Sequence, residues 1–438
     1  MIIFLAIIFT LIFFYSISNT VFDISFQRGS IAGLIFIKEI FLFVIIGVFL
    51  FEFKGVDAFY TFYMTEKTMS ETSLFIFYAL IFLFIFIGFF SKTIFRKYLY
   101  LNNYIDDNKY IFYRSFTLVL YVFQFLLVFI FIIIFGLKHS FISSILGGGS
   151  LLDVRLSNSY SGMPTILISF YSFLNILFSC AVGFYFSRFS VFHKIVLILM
   201  IIFFTSFFGG KSPIINSFIL LFFSYMSSFS KIKFNLKTFL ISIFSFIFIL
   251  YSLYFIISIQ FNSFAENDFF EFIVNRVGVG QIHGVYEQFA LQLRNQNYIY
   301  HTIPFANFFY DYTPFNKDLM MHTWGYNLGS ESETGVMNSL FIGEALAIGG
   351  YNLVFFSPLI VAFNFCLIAY FMVFFLKEIF KFPLKEAQKV SILTVVAFIG
   401  FTTDITGVLL FKSLIMIFIF ISLIYILFTL VKLVKYKL

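Results

Sequence analysis

Charged residues are scarce in this sequence: Asp, Glu, Lys and Arg make up 11% of the 438 residues, while 61% are hydrophobic. A soluble domain is about a quarter charged, so this chain has too little polar surface to cover a water-soluble globule. Its apolar runs are continuous and about 20 residues long, as in membrane-spanning helices, whereas the strands of a barrel alternate. We therefore predict an all-α, polytopic transmembrane helical bundle.

Cysteine and tryptophan are also scarce, with two residues of the first and one of the second. Cys180 and Cys366 lie in apolar runs without the spacing of a disulfide framework or a metal site, so we predict no metal and no cofactor. His301 and His322 are too far apart for a zinc signature. The net charge of +7 does not indicate nucleic-acid binding, because the basic residues cluster in short loops, as the positive-inside rule describes.

The apolar runs predict about eleven spans within one integral membrane domain, residues 1–438. The run 339–376 is long enough to begin as a tilted or broken helix, and Gly349-Gly350 is the predicted break. The predicted helices cover residues 1–20, 31–51, 73–91, 116–137, 164–186, 195–208, 213–229, 238–260, 339–376, 390–411 and 413–434.

Alternate loops are the basic ones, which places them in the cytoplasm. Loops 52–72, 138–163 and 261–338 then face outward, and the count puts the N-terminus outside. Lys38 and Glu39, in the second helix, are expected to pair or to snorkel near the cytoplasmic side. The basic loops are 92–115, 187–194, 230–237 and 377–389.

The long outward loop 261–338 is acidic, with eight Asp or Glu residues against three Lys or Arg, and it contains Trp324, the only tryptophan. Loops of this length are usually functional. The segments 310–314 and 324–327 are rich in aromatic and amide side chains. These suit sugar rings, because an aromatic face packs on C–H groups while amides bond hydroxyls. The alternative is an aromatic belt at the membrane surface.

Within this loop, residues 275–294 predict an amphipathic helix. Arg276, His283, Glu287 and Arg294 have offsets of 0, 7, 11 and 18. At roughly 100° per residue, these four lie within about 40° of one another. Two guanidiniums could hold a pyrophosphate, and His and Glu are the usual acid–base side chains. The structural alternative is an exposed helix that a His283–Glu287 pair supports.

Further candidates lie elsewhere in the chain. Arg155 follows a run of three glycines in an outward loop, and Lys211 lies between two helices, where it could meet an anionic lipid-linked substrate. The Lys211 segment lacks the spacing of a phosphate-binding P-loop, and the alternative there is a tight turn with a snorkelling lysine. Glu344 and Asp404 lie near the outward ends of apolar helices, where ionisable groups are costly and serve either function or a structural ion pair.

Four motifs carry a family resemblance: Arg155 after the Gly-rich loop, Gly209-Gly-Lys211, Arg276-x-Gly-x-Gly-Gln281, and Gly335-Val-Met-Asn-Ser-Leu-Phe-Ile-Gly-Glu344 followed by Gly349-Gly350. With these motifs, over residues 140–410, the chain resembles the Wzy-type polymerases of O-antigen and capsule repeat units. Two departures from that family matter. Residues 287 and 305 are Glu and Phe, so the Arg-x10-Gly spacing of some members is absent, and Lys211 stands where such enzymes often have Arg.

The resemblance implies a GT-C-like, metal-independent glycosyltransferase that crosses the bacterial cytoplasmic (inner) membrane many times and has its site on the outer face. It would move a growing glycan from undecaprenyl pyrophosphate onto an incoming lipid-linked repeat unit, and a chain-length regulator is an implied partner. Glu287, His283 or Glu344, in that order, would be the catalytic base. The residues that would bind pyrophosphate or glycan are Arg155, Lys211, Arg276, Arg294 and Trp324.

Two other functions stay open. An O-antigen ligase has the same chemistry and a similar layout, but it transfers finished glycan to a lipid A core or to a protein. A lipid-linked oligosaccharide flippase or other transporter predicts internal repeats, short loops and charges near mid-membrane. The sequence shows no repeat, and its candidate charges concentrate at the outer face.

Overall fold

The computed structural model describes residues 1–25, 30–55, 63–101, 113–136, 165–208, 211–229, 251, 274–306, 309–310, 313–325, 337–399 and 412–437. Within these ranges every extended element is a helix, and the β-structure is limited to two isolated bridges. The all-α prediction is therefore confirmed for this part of the chain. Its main helices are α1 (Ile2–Ile17), α2 (Leu34–Lys54), α3 (Glu66–Lys92), α4 (Tyr113–Phe135), α5 (Thr165–Tyr185), α6 (Val191–Ser206), α7 (Lys211–Ser227), α8 (Gly280–Leu291, preceded by a π-helical turn at Asn275–Val279), α9 (Phe341–Phe374, continued as a π-helix at Phe375–Ile379), α10 (Leu384–Phe398) and α11 (Lys412–Lys437).

Six of the described helices are long and apolar enough to cross a membrane: α2, α3, α4, α5, α9 and α11. Helices α1, α6 and α7 are apolar but shorter. These properties are those of a helical membrane protein. The predicted span 238–260, except residue 251, and residues 400–411 of the predicted span 390–411 lie outside the described residues. The total of eleven spans therefore stays a prediction.

Local chemistry explains the ends and the break of two helices. Helix α3 begins at Glu66, seven residues before the predicted start at residue 73, because Thr65 and Thr68 form a reciprocal capping box. Helix α9 has the predicted break: Gly350 has φ 66° and ψ −162°, a conformation that essentially only glycine adopts. The first part of α9 is thus a half-helix that ends at this glycine.

Phenylalanine rings fill the core between α1, α2, α3 and α9. The ring centroids of Phe13 and Phe84 are 4.7 Å apart, and Phe36 lies 5.3 Å from Phe84 and 5.8 Å from Phe365. Edge-to-face and tilted contacts of this kind add to the stabilisation that burial alone provides. They place Phe36 of α2 level with interior residues of α3 and α9.

Charged and polar groups gather at one end of the bundle, here named the basic end (Lys92, Tyr98, Arg188, Glu378 and Glu386). The Tyr98 hydroxyl donates to Glu378 at 2.8 Å, and Arg188 lies 3.7 Å from Glu386. The loops after α3, α5 and α9, which the charge pattern assigns to one side of the membrane, therefore meet at the same end. That this side is the cytoplasm stays a prediction.

Candidate functional site

Helix α8 is buried within the bundle. Eight consecutive residues, Ile282 to Phe289, are buried, and the helix packs against α2, α3 and α9. A surface helix buries only one face. The prediction of an amphipathic loop helix is therefore wrong for this segment, because α8 forms part of the helical core.

Two glycines allow α8 to approach α2 closely. A Cβ atom at Gly47 would stand 2.9 Å from the carbonyl oxygen of Gly278 and 2.7 Å from Cδ1 of Ile282. Small residues at such a crossing let two helix backbones come together. This contact fixes how far α8 lies along α2, and with it the position of the residues one and two turns further on.

His283 and Glu287, the predicted pair one helical turn apart, are in contact inside this packed region. The His283 Nε2 atom lies 3.4 Å from Oε1 of Glu287, an ion-pair distance when the imidazole is protonated. The Glu287 residue is 0% exposed, whereas His283 is 8% exposed. An imidazole held against a carboxylate in a site largely closed to water can accept, hold and return a proton. We refer to these two residues as the acid–base pair.

Four polar or aromatic residues near this pair were missed by sequence reasoning. The hydroxyls of Tyr286 and Ser73 are 2.9 Å apart, which joins α8 to α3. The ring of Phe51 lies 4.2 Å from that of Tyr286 and is stacked 6.3 Å from that of His283. The neighbouring carboxylate of Glu52 has a buried Oε1 atom that meets no hydrogen-bond donor in the described part of the chain. In the sequence, the position of Glu52 inside an apolar run is the feature that could have indicated this cluster.

The start of α9 joins α8 at the same place. The backbone N–H of Gly284 donates to the carbonyl oxygen of Asn338 at 2.9 Å. A Cβ atom at Gly343 would lie 3.6 Å from Val285 of α8. Glu344, the next residue, is 5% exposed in the first turn of α9. The third predicted carboxylate is thus buried at the junction of α8 and α9.

Arg294 departs from its predicted position. Helix α8 ends at Leu291, and Gln292 is left-handed with φ 51°, so residue 294 no longer follows the helical period. Its guanidinium instead lies over Gly350, where a Cβ atom would be 3.3 Å from Cζ. The first half of α9 ends there, and a cation stabilises the C-terminal end of a helix. The predicted alignment of Arg294 with the acid–base pair is therefore wrong.

The other predicted substrate-binding groups are only partly placed. Arg155 and Asp404 lie outside the described residues, as do the side chains of Lys211, Arg276 and Trp324. In the backbone, Lys211 is the first residue of α7, and Arg276 belongs to the π-helical turn that packs against α2. Trp324 lies in the π-helical turn Met321–Gly325.

Lys38 and Glu39 form an ion pair in α2, as predicted. The Lys38 Nζ atom is 3.0 Å from Oε1 of Glu39 and donates to Oδ1 of Asn216 in α7 at 2.9 Å. The Glu39 side chain is 8% exposed. Because Phe36 is level with interior residues of α3 and α9, the pair lies within the bundle and not at its basic end. The snorkelling alternative is therefore wrong.

The described residues between 296 and 325 fold against the first part of α9. The short helices Gln296–Thr302 and Phe315–Met320 enclose a small core with Tyr298, Leu319 and Ala347. Burial and a hydrogen bond to Asp318 raise the pKa of the Tyr298 hydroxyl, so Tyr298 donates to that carboxylate. Across the described ranges, His, Cys, Asp and Glu form no group of three or more that could hold a metal ion.

Comparisons with protein-family models, with characterised proteins and with solved structures give no match for this chain. The residues at the junction of α2, α3, α8 and α9, and their chemistry, are therefore what indicates a function for this chain.

Proposed function

We propose that this protein is a membrane-embedded glycosyltransferase that joins undecaprenyl-pyrophosphate-linked oligosaccharide repeat units, of O-antigen or capsule type, on the outer face of a bacterial cytoplasmic membrane. The observation that supports this most is the acid–base pair, which lies inside a bundle of apolar helices. Transfer of a glycosyl group to a hydroxyl requires a base. A base within a helical bundle suits a donor that stays anchored in the lipid, and ionisable groups in such surroundings are costly unless they serve a function.

Burial divides the roles within the pair. Glu287 is fully buried and so touches no substrate in this conformation, whereas an edge of His283 reaches the surface. We therefore assign contact with the acceptor to His283, which reverses the order expected from the sequence. Because Nε2 faces Glu287, Nδ1 is the nitrogen left for the acceptor. Glu287 is then a positioning residue that orients the ring and stabilises its protonated form.

The proposed step is a displacement at the anomeric carbon of the donor. The acceptor hydroxyl gives its proton to Nδ1 of His283 while its oxygen forms the new glycosidic bond. The bond from the anomeric carbon to undecaprenyl pyrophosphate breaks, and the pyrophosphate leaves with both electrons of that bond. Guanidinium and ammonium groups suit the leaving anion. Arg276 precedes His283 by seven residues, roughly 10 Å along a helix, and we propose it for this role together with Lys211 and Arg155.

The test is glycan banding from cells in which the gene is deleted and complemented with single variants. His283→Gln is expected to collapse the ladder to a single repeat unit, because no other group takes the proton. Glu287→Gln is expected to shorten the ladder, because the ring of His283 then no longer lies against a carboxylate. His193→Gln, at an exposed residue of α6, is the matched control and should give a full ladder.

Three outcomes contradict the proposal. A full ladder from His283→Gln means that this histidine is not the base. Loss of surface glycan, with long polymer still attached to undecaprenyl pyrophosphate, identifies a ligase. An unchanged ladder in the deletion strain excludes both enzymes and leaves the transporter.

A further inference from the structure

A patch of exposed apolar side chains lies on the segment that follows α8. Its members differ in exposure: Ile299 is 37% exposed, Ile303 43%, Phe305 38%, Phe309 81% and Tyr310 52%. We name these five residues the apolar patch. Large apolar side chains exposed together on a polar segment mark an interaction surface.

Hydrogen bonds within the segment hold the patch together as one surface. The N–H of Ile303 donates to the carbonyl oxygen of Tyr300, and those of Phe309 and Tyr310 donate to that of Ala306. The rings of Tyr300 and Tyr310 stack at 4.3 Å with an angle of 7° between their planes. Successive turns therefore bring residues 309 and 310 back beside residues 299 to 303.

The backbone at Phe305 is strained within this surface. Its φ of 66° is a left-handed value that a bulky residue rarely adopts. Such strain persists only where the surrounding structure enforces it, and it is often found at functional surfaces. The patch is thus a formed feature of the fold.

The segment is attached to a helix that has the composition of a membrane span. The Asn295 N–H donates to the carbonyl oxygen of Ala347 in α9, and Tyr298 packs beside Ala347. Nine residues further along α9, Phe356 is 63% exposed on the candidate span. Six of these nine residues follow the break at Gly350 and cover roughly 9 Å at the rise of a helix, so the segment is attached near an exposed apolar surface of this candidate span.

The exposed side chains of the apolar patch favour lipid over sugar. Residues 295–310 contain no Asp, Glu, Lys or Arg. Four members of the patch have hydrocarbon side chains and offer no hydrogen bond to a hydroxyl group. Glycan binding needs such bonds beside the aromatic face, whereas the boundary between headgroups and acyl chains favours Phe, Ile and Tyr without them.

We propose that the apolar patch inserts into the headgroup–acyl boundary of the adjacent leaflet and anchors residues 294–325 to the membrane surface. The partner is the lipid bilayer itself, and the contact is apolar and therefore insensitive to salt. The anchor is independent of the glycosyltransferase proposal. The anchor fixes the distance from the membrane surface of the segment that packs on the first part of α9.

The test uses the single tryptophan of the chain. In a Trp324→Phe background, Phe309→Trp and Ile303→Trp each place one fluorophore in the patch, in full-length protein reconstituted into phosphatidylcholine vesicles. The lipids are brominated either near the headgroup end or near the methyl end of the acyl chain. Phe356→Trp is the control that faces lipid, and Lys67→Trp, at a side chain 87% exposed in the first turn of α3, is the control that faces water.

The expected result is that bromines near the headgroup end reduce the emission of both patch variants more than the deeper bromines do, at low and at high salt, as for side chains at this boundary. Phe356→Trp should respond more to the deeper bromines, and Lys67→Trp to soluble acrylamide. The proposal is overturned if the patch variants respond like Lys67→Trp. It is equally overturned if bromolipids have no effect and an added oligosaccharide shifts their emission, since the patch would then bind glycan. Because two patch variants are measured, the test still holds if one of them misfolds.

Discussion

Replacing Gly47 with alanine is expected to force α8 away from α2. The new Cβ atom would stand 2.9 Å from the carbonyl oxygen of Gly278 and 2.7 Å from Cδ1 of Ile282. The carbonyl oxygen belongs to the backbone and cannot rotate aside, so the helices must separate. Overpacking of this kind costs about 1–3 kcal/mol, and the better helix propensity of alanine offsets up to about 1 kcal/mol of it. Because the clash with a backbone atom cannot relax by side-chain rotation, we expect the upper end of this range and a net loss of about 2 kcal/mol.

Ile282→Val tests whether the steric reasoning is right. Alone, it removes the buried Cδ1 atom and should cost about 0.5–1.5 kcal/mol. In Gly47→Ala protein, the same change removes the closest clash, so the double variant should lose about 1 kcal/mol less than the sum of the single losses. Gly278→Ala provides a graded comparison. Its Cβ atom would meet Cδ1 of Leu50 at 2.9 Å, the end of a flexible side chain, and so it should cost less than Gly47→Ala.

The assay follows the reaction of a thiol-specific dye with Cys180 and Cys366 during heating. Both cysteines are free and buried, so their reaction reports unfolding. For a chain of this size, a change of 1 kcal/mol moves the unfolding temperature by roughly one or two degrees. Three results would refute this steric explanation. Gly47→Ala would unfold at the same temperature as the wild type, or the losses of stability from Gly47→Ala and Ile282→Val would be fully additive. The third is a lower unfolding temperature for Gly278→Ala than for Gly47→Ala.

Three further predictions use the same melting assay. Lys38→Ala should cost about 3–5 kcal/mol, because it removes the ion-pair partner of the buried Glu39, whereas Glu39→Ala should cost less, because Lys38 is 23% exposed and still donates to Asn216. Lys38→Met with Glu39→Leu should restore most of the loss; equal damage from all three would contradict this. Burial lowers the pKa of Lys389, which donates to the Ser227 carbonyl at 2.5 Å, from 10.5 to about 8, so the folded state releases a proton that the unfolded state keeps. Stability should therefore rise as the pH increases from 8 to 10.5, and Lys389→Met should lack this rise. At Gly350, alanine and asparagine should each cost about 1–3 kcal/mol, since φ 66° with ψ −162° excludes both; recovery with Arg294→Ala would show that the clash, and not the backbone, is decisive.

The sequence predicts those features that depend on local composition. Continuous apolar runs predict the long helices, and the pair Gly349-Gly350 predicts the break in α9. The adjacent opposite charges of Lys38 and Glu39 predict their ion pair. In each case the decisive residues are neighbours in the chain or repeat with the period of one element.

Tertiary contacts decide what the sequence does not predict. A helical wheel assumes one uninterrupted α-helix, but the π-helical turn at residues 275–279 and the left-handed Gln292 interrupt that period at both ends of α8. Arg294 therefore turns to Gly350. The burial of α8 depends on Gly47, which lies 231 positions before Gly278 in the chain. A pattern read within residues 275–294 therefore cannot predict the contact with Gly47.

The closure of the acid–base pair restricts how a transferase could use it. Glu287 is fully buried, His283 is 8% exposed, and the Gly284 N–H is bonded to Asn338 beside them. An acceptor hydroxyl must come within about 3 Å of His283. Either residues 337–340 or the described residues between 294 and 325 must therefore move when substrate binds. If the apolar patch fixes residues 294–325 to the lipid surface, the movement falls on residues 337–340. Asn338→Ala, which keeps the carbonyl bond but removes the side-chain bonds to Gly280 and Gln281, should then raise the rate of elongation at low acceptor concentration. An unchanged rate would mean that the acceptor reaches His283 by another route.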